Sequence, residues 1–300
     1  MRDIHISAVS QVCGELRKVS QLATASNDLA PLVADIVHFR ESALDIWELA
    51  AKSAEATVQQ AAAEPDLVLY VSENDPDVTG SLARILDRLG LTSVEHLALR
   101  GQDCGNLPLA LQAASDALGA GWCTRVLLIL ADSALAGSRL MASGLSVFSD
   151  SAVSCVVTAQ PPATTRPLLR VTGRSTRTEV RTGEKRSEQH ELLTTVRLAA
   201  QSVEGLLKSL SLRRADFRYA VLPNYRPEAQ KFLLTAMKMP PQSLLLGPVT
   251  ELAHCFSADV LITLDRHAVT GALSPGDRVM ASVSGPHSCS TLAVECLTGG

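Results

Sequence analysis

Cys104 stands where a nucleophile would stand. It follows the apolar, strand-like run 94–99 and the turn Arg100-Gly101-Gln102-Asp103, and it precedes Leu107, Leu111, Ala114 and Leu118 at helical spacing. That order predicts a thiol at the start of a helix. There the macrodipole and the unpaired backbone N–H groups favour the thiolate, the nucleophilic form. Gly105, directly after it, leaves room for close approach of backbone or substrate. The chemistry such a residue suits is covalent catalysis.

The rest of the chain has to position that thiol. The 300 residues are 46% hydrophobic and 19% charged, enough for a large core in one big domain or two fused halves. A net charge of −4 gives no reason to expect nucleic acid or a membrane surface, and 3% aromatics make base-stacking platforms improbable. The start, Met1-Arg2-Asp3-Ile4-His5-Ile6, carries no secretory signal, and no run is apolar enough to span a bilayer. Seven cysteines, an odd number without zinc-like spacing, point to reduced thiols in the cytoplasm and to no metal.

Strands are expected at 4–12, 67–71, 126–130, 220–222, 279–284 and 291–297, with a strand pair over 145–157. The runs at 67–71 and 126–130 are wholly apolar, as in strands covered on both faces. Helices are expected at about 42–62, 79–89 (ended by Gly90), 187–210 and 227–237, while 260–264 reads as helical or extended. Pro161-Pro162 marks a seam between 1–160 and 161–300. After it, 164–186 is Thr/Arg-rich, with six Arg and one Lys against two Glu. The alternation of strands and helices argues for a layered α/β protein with covered sheets.

Four segments, in order, resemble one family. Pro65-Asp66-Leu67-Val68-Leu69-Tyr70 is similar to a strand before a substrate-entry loop. Gly101-Gln102-Asp103-Cys104-Gly105-Asn106 is similar to a nucleophile segment. Gly144-Leu145-Ser146-Val147-Phe148-Ser149-Asp150-Ser151-Ala152 is similar to a Phe-Gly-Asp-Gly-Ala turn, and Leu273-Ser274-Pro275-Gly276-Asp277-Arg278-Val279 to a Lys-Pro-Gly-Asp-x-Val element. The chain thus resembles the ketoacyl-ACP synthase III branch of the thiolase superfamily, over roughly residues 2–297. The resemblance implies a five-layer αβαβα sandwich of two similar halves. The half 1–160 would carry the nucleophile and 161–300 the His and Asn elements. It also implies a homodimer, or a heterodimer with a related synthase. The implied activity is ping-pong acyl transfer through acyl-Cys104, from an acyl-CoA or acyl carrier protein thioester to a second substrate, with no cofactor.

The sequence departs from the family at two places. The family's His position is Asn224, in Val221-Leu222-Pro223-Asn224-Tyr225-Arg226, and the family's Asn falls at or beside His254. His and Asn are therefore expected to have changed places, both facing the thiol. His254 would be the base, Asn224 a donor to an oxyanion, and Asp259, five residues on, the group that orients His254. The family's Gly-rich turn has become Ser284-Gly285-Pro286-His287-Ser288, which leaves the backbone N–H groups of Cys104 and Gly285 as oxyanion-hole candidates. Ala142, Ser143 and Gly144 are small enough to line a pocket. His287 reads as a surface-loop residue, His190 as a solvated helix residue, and His5, His38, His96 and His267 as structural. Arg174, Arg177 and Arg181 in the basic stretch, with Arg226 and Lys231, are candidates for docking an acidic carrier protein or the phosphates of CoA. Two other functions compete: a degenerate partner subunit of a heterodimeric synthase, and a Cys-dependent thioester hydrolase.

Overall fold

The computed structural model describes residues 1–22, 35–135, 139–141, 144–164, 166–180 and 188–297. In chain order the elements begin β1 (Ile4–Cys13), β2 (Glu15–Lys18), β3 (His38–Glu41), α1 (Ile46–Ala61), β4 (Leu67–Val71), α2 (Val78–Leu89), β5 (Glu95–Leu99), α3 (Asn106–Gly119), β6 (Arg125–Asp132) and β7 (Ser151–Thr158). They continue with β8 (Leu168–Thr178), α4 (Glu188–Leu210), β9 (Tyr219–Val221), α5 (Pro227–Ala236), α6 (Val249–Leu252), α7 (Asp259–Val269), β10 (Arg278–Ser284) and β11 (Ser288–Leu297). Local signals fix many boundaries. Asp45 and Glu48 form a capping box at the start of α1. Asp77 caps α2 by accepting from the N–H of Gly80, and Gly90 ends it at φ +69°.

Nine strands form one mixed sheet in the order β5-β4-β6-β7-β1-β8-β11-β10-β9. Read outward from its middle, the sheet repeats itself. On one side β1 is followed by β7, β6, β4 and β5; on the other β8 is followed by β11, β10 and β9, and a parallel bridge from Ala220 to Leu244 stands where the fifth strand would be. The pairs β4–β5, β4–β6 and β10–β9 are parallel, and the remaining neighbours are antiparallel.

The layers follow from what each face buries. One core holds Leu107, Leu111 and Ala114 of α3 and Val260, Leu261 and Leu264 of α7 between the two half-sheets, against Leu69 and Leu128 on one side and Val279 and Leu292 on the other. A second core packs α1 and α2 on the outer face of β4 and β6 through Leu49, Leu82, Ile85, Val68 and Ile129. A third packs α4 and α5 on the outer face of β9–β11 through Val203, Leu206, Leu234, Ala220 and Met280. The result is the expected five-layer αβαβα sandwich, with α3 and α7 as the middle layer.

Two local expectations are corrected. The segment 145–157 is not a strand pair: only β7 is a strand, and the residues before it make isolated bridges from Val147 to Leu140 and from Phe148 to His254. The Thr/Arg-rich stretch, given no strand in the sequence reading, holds β8, a central strand whose buried Leu169, Val171, Gly173 and Ser175 alternate with half-buried Arg170, Thr172, Arg174 and Thr176. The two half-sheets are joined, since β1 pairs with β8 through Ile4, His5 and Ile6.

Candidate active site

Cys104 lies in a 3-10 turn (Asp103–Gly105) that leads into α3, and it is 6% exposed. The turn is bound to a carboxylate. Glu73 Oε2 accepts from the N–H of Gly101 (2.6 Å), the N–H of Asp103 (3.1 Å) and Nδ2 of Asn106 (3.1 Å). Burial alone would raise the Glu73 pKa, but these donors outweigh it and hold the carboxyl below its ordinary value. Asp103 takes up a left-handed φ of +51°. Gly105 and Gly285 approach each other closely: a Cβ on Gly105 would lie 3.1 Å from the Gly285 nitrogen, and one on Gly285 would lie 2.5 Å from the Gln102 carbonyl oxygen. Side chains at either position would push β10–β11 off the nucleophile turn.

His254 comes from the other half. Its backbone is clamped into the segment before β7: its N–H donates to Val147 O (2.9 Å) and its carbonyl accepts from Ser149 N (2.9 Å). That segment is anchored by Asp150, which receives a bidentate bond from Arg139 (2.9 and 2.8 Å) and the N–H groups of Ser42 and Ala134. Ala253, just before, sits at φ +49°, ψ −140°, a costly conformation that aims the imidazole inward. Phe148, Tyr225 and Phe256 surround the imidazole, with ring centroids 5.5, 5.4 and 5.9 Å away. The imidazole is fully buried in this apolar cage.

Here the two halves meet. Nε2 of His254 lies 3.0 Å from Sγ of Cys104, across 150 residues of chain. Nδ1 of His254 is hydrogen-bonded to Oδ2 of Asp259, the first residue of α7. A carboxylate can only accept, so the proton is assigned to Nδ1 and Nε2 is left to accept from the thiol. Asp259 is held in turn by the N–H of Asn224 on Oδ2 and the N–H of Cys255 on Oδ1, each at 2.7 Å. The expectation of a ready thiolate is corrected. Burial first, then the charges of Asp103, Asp259 and Asp132, push the Cys104 thiol well above its ordinary value. The thiol sits two residues before α3, not on its first N–H groups, and the Asp103 carboxylate lies 3.6 Å from it. An arrangement of this kind works by handing the proton to a base.

The structure joins Cys104, His254 and Asp259 and corrects two of the other expectations. The Asn224 amide does not bond to the thiol or the imidazole. It is fully buried against Gly247, with neither its oxygen nor its nitrogen hydrogen-bonded among the described residues, while the Asn224 backbone supports Asp259. The Gly285 N–H is occupied, because it donates to Ser288 O at 2.9 Å within the β10–β11 turn. The basic candidates are not one patch. Arg174 turns inward to Pro108 O (3.5 Å), Arg177 lies against Gly205 of α4, and Arg181 lies outside the described residues, as do Ala142 and Ser143. Arg226 immediately precedes α5, and Lys231 is exposed on it.

Sequence reasoning missed Tyr225 and Glu73. The Tyr225 hydroxyl is bonded to Ser284 Oγ (3.1 Å). Burial first, and the neighbouring Cys104 next, push its pKa up, so it stays protonated and can donate. Its position beside the displaced asparagine was the available signal.

No family model and no curated protein matches the sequence. Solved structures do match. The 3-oxoacyl-(acyl carrier protein) synthase III FabH from Pseudomonas aeruginosa superposes with a TM-score of 0.80 at 15% identity, over 98% of each chain. The chain has the synthase III fold. That thiolase-type fold is shared by the acyltransferase ChlB3 (TM-score 0.81, 20% identity, 99% of this chain and 98% of that one). It is shared too by OleA of Xanthomonas campestris, solved with lauric acid and lauroyl-CoA (TM-score 0.80, 16% identity, 98% and 99%). Among the described residues no helix is long and apolar enough to cross a membrane.

Proposed function

We propose that the protein is an acyltransferase that works through an acyl-Cys104 thioester. The observation that carries this reading is the hydrogen-bonded series Cys104–His254–Asp259, in which a buried thiol faces an oriented base. Cys104 attacks the carbonyl carbon of an acyl-CoA or acyl-carrier thioester as its proton passes to His254 Nε2. The C–S bond of the donor breaks, and the leaving thiolate takes the proton from Nε2. An acceptor hydroxyl or amine then gives its proton to His254 and attacks the acyl-Cys104 carbonyl; the Cys104 C–S bond breaks, and the released thiolate takes the proton back from Nε2. Asp259 orients the imidazole and stabilises its charged form. The tetrahedral oxyanion is received by the N–H of Cys104, which makes no hydrogen bond among the described residues, and by the Tyr225 hydroxyl.

Transfer to a heteroatom is favoured over decarboxylative condensation. Condensation needs two donors on the extender carbonyl, and the Asn224 amide is buried against Gly247 instead. Docking of CoA or a carrier is assigned to the N-terminal turns of α5, through Arg226 and Lys231. A homodimer accords with β5, an edge strand that is exposed along most of its length, with Leu97 39% exposed and Trp122 beside it 51% exposed.

The test is intact mass after incubation with a panel of acyl-CoA and acyl-carrier thioesters, beside Cys104→Ala. A gain of one acyl group, absent from the variant and discharged by an alcohol or amine, is the expected result. No adduct with any donor overturns the reading and favours a non-catalytic partner subunit. Discharge by water alone favours a hydrolase.

A further inference from the structure

Three strand ends bring further side chains to the nucleophile turn. β4 lies between β5 and β6, and Val71 at its end is in register with Leu99 on one side and Leu130 on the other. Two residues further along each strand stand Glu73, Gly101 and Asp132, joined in hydrogen bonds. Gly101 belongs to the turn that carries Cys104. Glu73 and Asp132 are carboxylates that the acyl-transfer steps do not use.

The two carboxylates act in series. Oδ1 of Asp132 accepts from the N–H groups of Glu73 and Asn74, each at 2.9 Å, and Nη2 of Arg100 donates to the Glu73 carbonyl at 2.9 Å. The main chain of Glu73 is thus held from both sides, which gives its side chain a fixed origin. From there Oε2 alone takes the N–H groups of Gly101 and Asp103 and Nδ2 of Asn106. Those two N–H groups make no bond to a main-chain carbonyl among the described residues. Asn106 is fully buried and ties the turn together: its Nδ2 also donates to Asp103 O (2.8 Å), and its Oδ1 accepts from Gln102 N (3.2 Å).

The carboxylate holds a shape that the turn does not favour on its own. Gly101 sits at φ +99° and Asp103 at φ +51°. Glycine takes up a positive φ without steric cost, but a β-carbon makes it expensive, and such a residue stays there only when its surroundings fix it. Asp103 directly precedes the nucleophile. Its conformation sets how Sγ of Cys104 meets Nε2 of His254, 3.0 Å away, and where the Cys104 N–H faces.

We propose that Glu73 is a positioning residue for Cys104: one oxygen, delivered by a backbone pinned to Asp132, fixes the turn in the conformation from which the thiol reaches His254. The effect on rate rests on the acyl-transfer reading; the hold on the turn does not. Because all three bonds fall on a single atom, the reach of that oxygen outweighs its charge. Glutamine keeps an oxygen at the same reach, whereas aspartate keeps the charge and draws it back by one methylene.

The test is hydrogen–deuterium exchange of the full chain, read by mass, beside acylation kinetics of Glu73→Gln, Glu73→Asp and Glu73→Ala. In Glu73→Asp and Glu73→Ala, exchange in the peptide spanning 101–105 should rise at least about tenfold, as loss of bonds to a charged group allows, with the rest of the chain unchanged. With an acyl-CoA that loads Cys104 in the parent, acylation should fall about 100-fold, in kcat rather than in KM, as a misplacement of about 1 Å does. Glu73→Gln, with neutral bonds in place of charged ones, should stay within about tenfold of the parent in both readouts. Unchanged exchange at 101–105 in Glu73→Ala overturns the proposal. A rise spread over the whole chain also overturns it, by making Glu73 a stability residue. An active Glu73→Asp with an impaired Glu73→Gln overturns it in favour of charge. A local rise in exchange with acylation intact overturns the effect on the nucleophile. The exchange readout needs no acyl donor, so it decides whether Glu73 holds the turn even where no donor loads Cys104 and the acyl-transfer reading fails.

Discussion

The backbone N–H of Asn224 donates to Oδ2 of Asp259 at 2.7 Å, the same oxygen that takes Nδ1 of His254. Asn224 therefore serves the relay through its main chain. Asn224→Ala keeps that N–H and removes an amide that makes no hydrogen bond among the described residues, so acylation of Cys104 should stay within a few-fold of the parent. Asp259→Asn keeps the shape and loses the charge that orients His254, and acylation should fall by at least about 100-fold. Stopped-flow acylation of both variants checks the pair. A collapse in Asn224→Ala with Asp259→Asn unaffected would return the role to the amide.

Burial first, and then Asp103, whose Oδ1 lies 3.6 Å from Sγ, hold the Cys104 thiol well above its ordinary pKa, so it is protonated at rest. Its alkylation by iodoacetamide should be slow at about pH 7 and still rising past about pH 10, where an ordinary thiol has levelled. Asp103→Asn removes one carboxylate and should move the whole curve to lower pH. A curve complete by about pH 6 would mean a preformed thiolate and no need for a base.

Tyr225 is the donor that the altered glycine turn makes necessary. Tyr225→Phe keeps the ring against His254 and removes one hydrogen bond to the oxyanion. Acylation should drop about 10- to 1000-fold, in kcat rather than in KM, while alkylation of Cys104 by iodoacetamide is unchanged. Equal losses in both reactions would assign Tyr225 a packing role only.

Asp132, at the end of β6, accepts from Ser72 Oγ and the N–H groups of Glu73 and Asn74, and burial raises its carboxyl to about 7. An unfolded chain releases that proton near 3.8, so between these values the folded protein holds more protons and stability falls as pH rises. The fall levels above about pH 7 and amounts to at most roughly 4 kcal/mol. Asp132→Asn keeps the accepting oxygen and removes the titration. Urea unfolding at about pH 5 and pH 8 should show a smaller drop in the variant than in the parent. Parallel pH profiles in the two would remove Asp132 from the account.

Much of this was legible in residue order. The apolar runs of β4 and β6, the Gly90 stop and the strand–turn–helix around Cys104 are local signals, and they hold because each agrees with the layer it enters. His254 was singled out through the family resemblance and Asp259 by its spacing from it, and the structure brings both to Cys104. What stayed hidden is set by long-range partners. β8 is masked because the half-buried Arg170 and Arg174 alternate with its buried residues. The direction of the Asn224 amide depends on a glycine 23 residues away, and the engagement of the Gly285 N–H on a hairpin that only tertiary structure closes. The thiol's raised pKa follows first from burial and then from three carboxylates drawn from different segments, which no spacing rule gathers.

Because the nucleophile is delivered by the approach to α3 and the base by the approach to α7, the working distance of 3.0 Å reads the seating of one middle-layer helix against the other. Turnover thus acts as a strain gauge for the centre of the molecule. A mutation there that leaves every strand in place still registers in the rate long before it registers in a melting curve.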